Sequence, residues 1–441
     1  MRTLAGYKSC FVLMLAAAFG LVVSVAPARC EIRAELPDPL VRIPENGNAV
    51  LVEKNTQRLF IWANRQGEPV KVFEEPCSTG EAPGIKEVSG DKKTPEGVYF
   101  VKDVYEDRYL SPIYGRKAFP TDYPNYLDVR AGRNGSAIWL HGTNKKLIPM
   151  DTNGCIALNN DAVEQLTDFI EMDQTPVIIS NTIRNTDPKV LEKRKTALDD
   201  WLEKWGASIE SGNYHRYLAF YDPKFLPDMA WWEDWRRLRE KHAAEEDSLQ
   251  VSRDRTGIYR HGDVYVIVFD MGVSLRGESV RFGRRKLFVK NNGKDYGIIG
   301  DLYQAYEKGF ENSQYPLLAA SRKIADQTGY KQQTMELVSG WLKAWSGEKM
   351  EAYASYYSDR FYSDGMNKKQ WVARKRGLAR QYRYINVTGR DFQVNRTKDR
   401  ITVRFFQTYE SSGYVAEGIK KLTLVKEDQS WKIYRESWKG K

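Results

Sequence analysis

The stretch Ile138-Trp139-Leu140-His141-Gly142-Thr143-Asn144-Lys145-Lys146-Leu147-Ile148-Pro149-Met150-Asp151-Thr152-Asn153-Gly154-Cys155-Ile156-Ala157-Leu158 places a histidine and a cysteine fourteen residues apart. The apolar run that His141 closes reads as the end of a strand, and Thr152-Asn153-Gly154 reads as a turn delivering Cys155. A thiol at neutral pH needs a base beside it to become a nucleophile, and an imidazole is the usual base. Spacing alone does not establish that chemistry, because single cysteines and histidines are commonly buried structural residues.

Four further elements precede this pair. Ala49-Val50-Leu51-Val52-Glu53 and Arg58-Leu59-Phe60-Ile61-Trp62 read as paired strands across the polar turn Lys54-Asn55-Thr56-Gln57. Then come Ser78-Thr79-Gly80 after Cys77, and Gly90-Asp91-Lys92-Lys93-Thr94-Pro95-Glu96-Gly97. In this order, with His141 and Gly154-Cys155, the elements resemble the YkuD-type L,D-transpeptidase catalytic domain over residues 48–182.

The resemblance implies that Cys155 is the nucleophile and His141 the general acid/base. The substrate implied is a peptidoglycan stem tetrapeptide, cut between meso-diaminopimelate and the terminal D-alanine through a Cys155 thioester. Gly154 and Asn153 are expected to supply backbone N–H groups to the oxyanion. Gly142, Thr143, Thr152 and Ala157 are the substrate-binding candidates. The family orients its histidine through a backbone carbonyl, so neither Asp128 nor Asp151 is required as a third member. Transfer to the amine of a second stem gives a crosslink; transfer to water gives a trimmed tripeptide.

The chain departs from the commonest family pattern, S-H-G-C-x-R. Asn153 replaces the histidine and Ala157 the arginine, a residue able to grip a carboxylate bidentately. A similar replacement marks a subgroup that hydrolyses stem peptides, whose cell-shape L,D-carboxypeptidases also carry an NTF2-like domain. Lys145, Lys146 and Arg133 are the other cations near the motif. A non-catalytic wall-binding scaffold is the reading from another class, and intact His141, Gly154 and Cys155 argue against it.

Composition suits an envelope enzyme. At 441 residues, with 41% hydrophobic and 12% aromatic side chains, the chain is globular and too long for one core. Arg2 and Lys8, the uncharged run 10–25 and Ala26-Pro27-Ala28 form a signal peptide over 1–28, which places the mature protein in the periplasm or cell envelope. Arg29 before Cys30 is unlike a lipidation site, and no later stretch is apolar enough to span a membrane. Removal of the leader leaves Cys30, Cys77 and Cys155. If Cys155 stays reduced, Cys30 and Cys77 remain, paired or not. No metal-ligand spacing occurs, so no metal and no cofactor are expected. The formal charge of +10, or +8 without Arg2 and Lys8, attracts anionic wall polymers or is simply a solvated surface. Nucleic acid is not an expected partner.

The remainder is a long repeat. Trp201-Leu202-Glu203-Lys204-Trp205 returns as Trp341-Leu342-Lys343-Ala344-Trp345, Tyr217 to Phe225 as Tyr353 to Phe361, and Trp235 as Trp371. The offset drifts only from 140 to 135, which describes two copies of one domain. Helical periodicity precedes alternating strands in each, an α+β layout. Both copies resemble cone-shaped NTF2-like (SnoaL-type) domains, at 195–305 and 333–441, with their aromatic residues assigned to core. Wall proteins are the partners such domains suggest. The segment Tyr296-Gly297-Ile298-Ile299-Gly300-Asp301 implies an irregular last strand in the first copy. Residues 29–47 read as an arm or linker, and 183–195 and 305–333 as hinges or packed helices. The expected fold is therefore mixed and multidomain: a β-rich catalytic domain followed by two α+β cones.

Overall fold

The computed structural model describes residues 35–441 apart from 245–247, 294, 305–309, 311–314, 398 and 429. The signal peptide, Cys30 and the first residues of the arm lie outside the described residues. Among the described residues no helix is long and apolar enough to cross a membrane.

The catalytic region is built from two sheets. One runs in the order Glu68–Pro76, Arg58–Arg65, Asn48–Glu53, Pro176–Ser180, Gly97–Phe100. The other runs Ile156–Asn159, Trp139–Thr143, Lys117–Pro120, Tyr105–Glu106. Strand Asn48–Glu53 is buried on both faces, so its alternating side chains serve two cores. Val50 and Val52 pack toward Leu140, Ile156 and Leu158 of the second sheet. Ala49 and Leu51 point the other way, against Tyr259, Val266, Val268 and Phe288 of the next domain.

That next domain has helices Pro188–Ser211, Tyr214–Leu218 and Trp232–Ala244, then antiparallel strands Gln250–His261, Val264–Leu275, Glu278–Asn291 and Tyr296–Gln304. The same order returns in Pro316–Ser346, Met350–Ser355, Lys368–Gln381 and strands Ile385–Arg396, Arg400–Ser411, Tyr414–Glu427 and Ser430–Gly440. The irregularity expected only at the end of the first copy occurs in both. Ile299 is the extra residue of a bulge in one last strand and Tyr434 in the other. In each copy the residue before the bulge bridges back to a tyrosine, Ile298 to Tyr221 and Ile433 to Tyr357.

Each cone holds the same buried polar group, set among the aromatic residues that the repeat assigned to core. Tyr217, Tyr221, Asp301 and Arg285 are joined in the first copy. Tyr353, Tyr357, Glu436 and Lys420 are joined in the second. Burial of these charges is tolerable because cation, carboxylate and hydroxyls satisfy one another.

The arm is not a separate linker. Leu36–Pro37 pairs with Asn185–Thr186, and Leu40–Arg42 adds an edge strand to Gln250–His261. Asp38 receives Arg194 and Arg260, and Arg42 grips both oxygens of Asp199 at 2.7 and 2.8 Å. The segment is short and polar in sequence, but its partners lie far along the chain. The 183–195 junction forms the short strand Asn185–Thr186 and then the first turns of a helix, and the 305–333 junction is helix from Pro316 onward. Pro188–Ser211 starts seven residues before position 195, on an Asp187 cap. Pro316–Ser346 places Leu317, Ala320 and Ile324 in the first cone's core and Val338, Trp341 and Trp345 in the second's.

The shared core predicts that the catalytic region and the first cone unfold as one cooperative unit in calorimetry. Phe288→Ala, in the cone, should lower that single transition by about 3–5 kcal/mol, the usual cost of deleting a buried phenyl ring. Two separate transitions, with only one moved by the substitution, would contradict this.

Candidate active site

Strands Trp139–Thr143 and Ile156–Asn159 are parallel neighbours, with Leu140 opposite Ile156 and His141 opposite Ala157. The fourteen-residue loop therefore returns Cys155 to the edge of the strand that carries His141. Burial holds the His141 imidazole below its ordinary value of 6.5. Its Nδ1 lies 2.6 Å from the Gly142 carbonyl oxygen. A carbonyl only accepts, so Nδ1 carries the proton and Nε2 is the free base. The Tyr114 ring meets the imidazole edge-on, with centroids 5.0 Å apart.

The thiol of Cys155 donates to the Ala137 carbonyl at 3.3 Å. Burial pushes its pKa up, against a backbone hydrogen bond from Trp139 and the charge of Lys86. The resting pair is thus a neutral thiol and a neutral imidazole. Ala137, whose carbonyl receives that thiol, holds left-handed backbone at φ 57°. Among the described residues Cys77 is buried without a disulfide partner, and burial pushes its thiol up to about 12, which makes it a poor nucleophile.

The turn at 152–155 is fixed by loops from earlier in the chain. Fully buried Thr94 donates its hydroxyl to the Gly154 carbonyl at 2.9 Å and accepts from Gly80 N–H at 2.8 Å. Gly154 has φ 124°, and a Cβ there would stand 2.8 Å from the Lys93 carbonyl oxygen. The missing side chain thus permits the close approach of the 92–94 loop. Gly154 N–H is donated to Thr152 Oγ1 at 3.1 Å, and Thr152 Oγ1 in turn donates to the Cys155 carbonyl at 2.8 Å. Within the turn, Asn153, which is exposed, and Cys155 remain as N–H donors.

The other sequence candidates fall in varied surroundings. Gly142 is buried, and a Cβ would lie 2.3 Å from Asn160 Oδ1. Thr143 accepts from Lys145 N–H at 3.1 Å. Ala157 is buried and exchanges backbone hydrogen bonds with Ser78. Lys145 and Lys146 are exposed, while Arg133 is bound to Asp128 at 3.0 Å. Asp128, at the third position of a short helix capped by Asn125, accepts from the Asn125 N–H and is not engaged with His141; Asp151 is exposed. Among the described residues no group of three His, Cys, Asp or Glu side chains could hold a metal ion.

Two parts of the site escaped the sequence. Lys86 is buried against Asp91 at 2.7 Å, and it is the cation whose charge acts on Cys155. Asp91 also accepts from the backbone of Glu87, Val88 and Lys93, and these contacts, with Lys86, hold its carboxyl well below the usual range. An aromatic groove of about 520 Å³ adjoins His141, lined by Tyr105, Tyr109, Tyr114 and Trp139 among others. The spacing of three tyrosines within ten residues was its only sequence signal.

Residues 47–179 match the family of the L,D-transpeptidase catalytic domain, YkuD. Residues 333–437 match the Cds6 C-terminal NTF2-like domain. Among solved structures, Bd1075 of Bdellovibrio bacteriovorus is similar at 21% identity, covering 92% of this chain and 99% of that one, with a TM-score of 0.35. The helical cell shape determining protein Pgp2 from Campylobacter jejuni is similar at 24% identity, covering 60% of this chain and 96% of that one, with a TM-score of 0.47. Comparison with curated proteins gave no match.

Thr94→Val removes a hydroxyl of similar shape and strands two buried backbone groups. It should cost about 1–3 kcal/mol and slow alkylation or acylation of Cys155, measured by intact mass. The His141 pKa sets a second expectation. A histidine whose folded pKa lies below its unfolded value binds fewer protons when folded, so that part of the stability is lost as pH falls below 6.5. Cys155 acylation should hold level through neutrality and decline only below 6.5. An acid limb centred above that value would contradict the buried, neutral imidazole.

Proposed function

We propose that this chain, which carries an L,D-transpeptidase catalytic domain of the YkuD type, is an exported peptidoglycan enzyme. Cys155 attacks the carbonyl between meso-diaminopimelate and D-alanine of a stem tetrapeptide. The observation that supports this most directly is the tautomer imposed on His141. With Nδ1–H held by the Gly142 carbonyl, Nε2 is left unprotonated to take the thiol proton when substrate arrives.

In the first half-reaction the Cys155 Sγ–C bond forms as the C–N bond to D-alanine breaks. His141 Nε2 accepts the thiol proton and returns it to the leaving amine. Asn153 and Cys155 N–H groups face the oxyanion, since Gly154 N–H is already engaged. In the second half-reaction the amine of a neighbouring stem attacks the thioester, giving up a proton to His141 and producing a crosslink.

A second reading, hydrolysis to a tripeptide, rests on Ala157. Its small buried side chain stands where the common family pattern has an arginine, so no bidentate carboxylate clamp exists at that position. Water would then resolve the same thioester.

Purified protein incubated with labelled tetrapeptide muropeptides should release D-alanine. Dimers in the product mass spectrum would establish transfer, and tripeptide monomers hydrolysis. Cys155→Ala should abolish both, with a loss of about 10³-fold or more, as expected for a nucleophile. Turnover that survives Cys155→Ala would sink the proposal. A carbapenem should add its mass at Cys155, and failure to form that adduct would count against a competent thiol.

A further inference from the structure

The net charge of the chain is not spread evenly. Residues 333–441 carry 22 lysines and arginines against 12 aspartates and glutamates. The second copy alone thus holds a net +10, the value for the whole chain, and residues 1–332 balance to zero. Part of that charge converges on a cleft of about 830 Å³ between the two cones. Its floor is the middle of helix Pro316–Ser346, at Asp326, Gly329 and Tyr330. Lys241 reaches it from helix Trp232–Ala244 of the first cone. Arg360, Arg396, Arg400 and Lys426 reach it from the second. Asp326 and Asp399 are the two carboxylates of the lining, which leaves an excess of three positive charges.

Two of these cations are held in place and still left open. The Arg396 guanidinium lies 5.3 Å over the Tyr330 ring, and that of Arg400 lies 5.8 Å over the Tyr434 ring. A ring face fixes the guanidinium plane without occupying its N–H edge. Among the described residues Lys241, Arg396, Arg400 and Lys426 form no ion pair, whereas Arg360 is held by Glu427 at 3.0 Å. Gly329 is an independent feature of the same cleft. A glycine inside a helix costs about 1 kcal/mol against alanine and calls for a reason. Packing is not that reason, since a Cβ at Gly329 would meet nothing within 4 Å. The open space above it lets a guest come close to the helix backbone.

Charge and shape select that guest. The cations come from both cones and from separate loops, so an anion with several charges spread over many oxygens pairs with more of them than one carboxylate does. Focusing of the second cone's field into a concave site favours such an anion further. We propose that the cleft between the cones binds a ligand bearing two or more linked phosphoryl groups, with Arg396 and Arg400 donating to its oxygens and Lys241 closing it from the first cone. This site is independent of the thiol chemistry, and its test needs no turnover.

The test is calorimetric titration of the full chain at low ionic strength with inorganic tripolyphosphate, inorganic pyrophosphate and citrate, a polycarboxylate. Saturable binding of both phosphates is expected, with citrate weaker by about tenfold or more. Arg396→Gln and Arg400→Gln, at exposed positions, should each weaken binding by about tenfold, the worth of a charge-assisted hydrogen bond. Gly329→Leu fills the floor of the cleft without a clash and should bring a similar loss, with helix content unchanged in circular dichroism. Lys439→Gln removes an exposed charge of the second cone outside the cleft and should leave affinity unchanged. Phosphatidylcholine vesicles containing farnesyl diphosphate separate the two sources of such a group. Retention of the chain that Arg396→Gln abolishes assigns a lipid-borne diphosphate, and binding of the soluble probes alone assigns a free one. Absence of saturable binding, citrate binding as tightly as tripolyphosphate, equal losses in Lys439→Gln and Arg396→Gln, or full affinity in Gly329→Leu would each overturn the proposal.

Discussion

One buried hydroxyl ties the candidate site together. Thr94 accepts from Gly80 and donates to Gly154, so three segments dispersed over seventy-odd residues meet at a single side chain. Both partners are backbone groups of buried residues, where an unmet hydrogen bond is expensive. The glycines follow from this meeting. Gly80 has the Lys92 carbonyl 2.2 Å from where a Cβ would sit, and Gly154 has that of Lys93 at 2.8 Å. Cys155 inherits its position from this clasp, and the parallel pairing of its strand with that of His141 completes the geometry.

The candidate pair His141 and Cys155 was legible in the sequence because its signals are local: a strand end, a turn and a glycine before a cysteine. What holds the pair was not. The Ala137 carbonyl that receives the thiol and the Lys86–Asp91 pair act through contacts between loops, and no periodicity records such contacts. The repeat was readable through its large aromatic residues, which must fill equivalent places in two cones. The edge strand Leu40–Arg42 was not, since three residues carry little pattern and their partner lies more than two hundred positions away.

The two cones have diverged on their outer faces in a way that explains their different placements. Val266, Val268 and Phe288 of the first cone lie against the catalytic sheet. The matching strand positions in the second cone, Thr402, Arg404 and Thr423, are polar. One copy has an apolar outer face covered by the enzyme, and the other has a face suited to water. Their interiors remained alike, down to the tyrosine pair and its carboxylate, with lysine in the second copy where the first has arginine.

Helix Pro316–Ser346 has a consequence for how such a protein can be inherited. Its first turns complete one hydrophobic interior and its last turns begin another. A recombination breakpoint between the repeats would have to fall inside a helix that both halves need, leaving one interior open to water. Duplicated domains usually remain interchangeable cassettes because the boundary between them is dispensable. Here the boundary is itself part of the fold, so loss, swapping or shuffling of the second copy alone carries a penalty for the first.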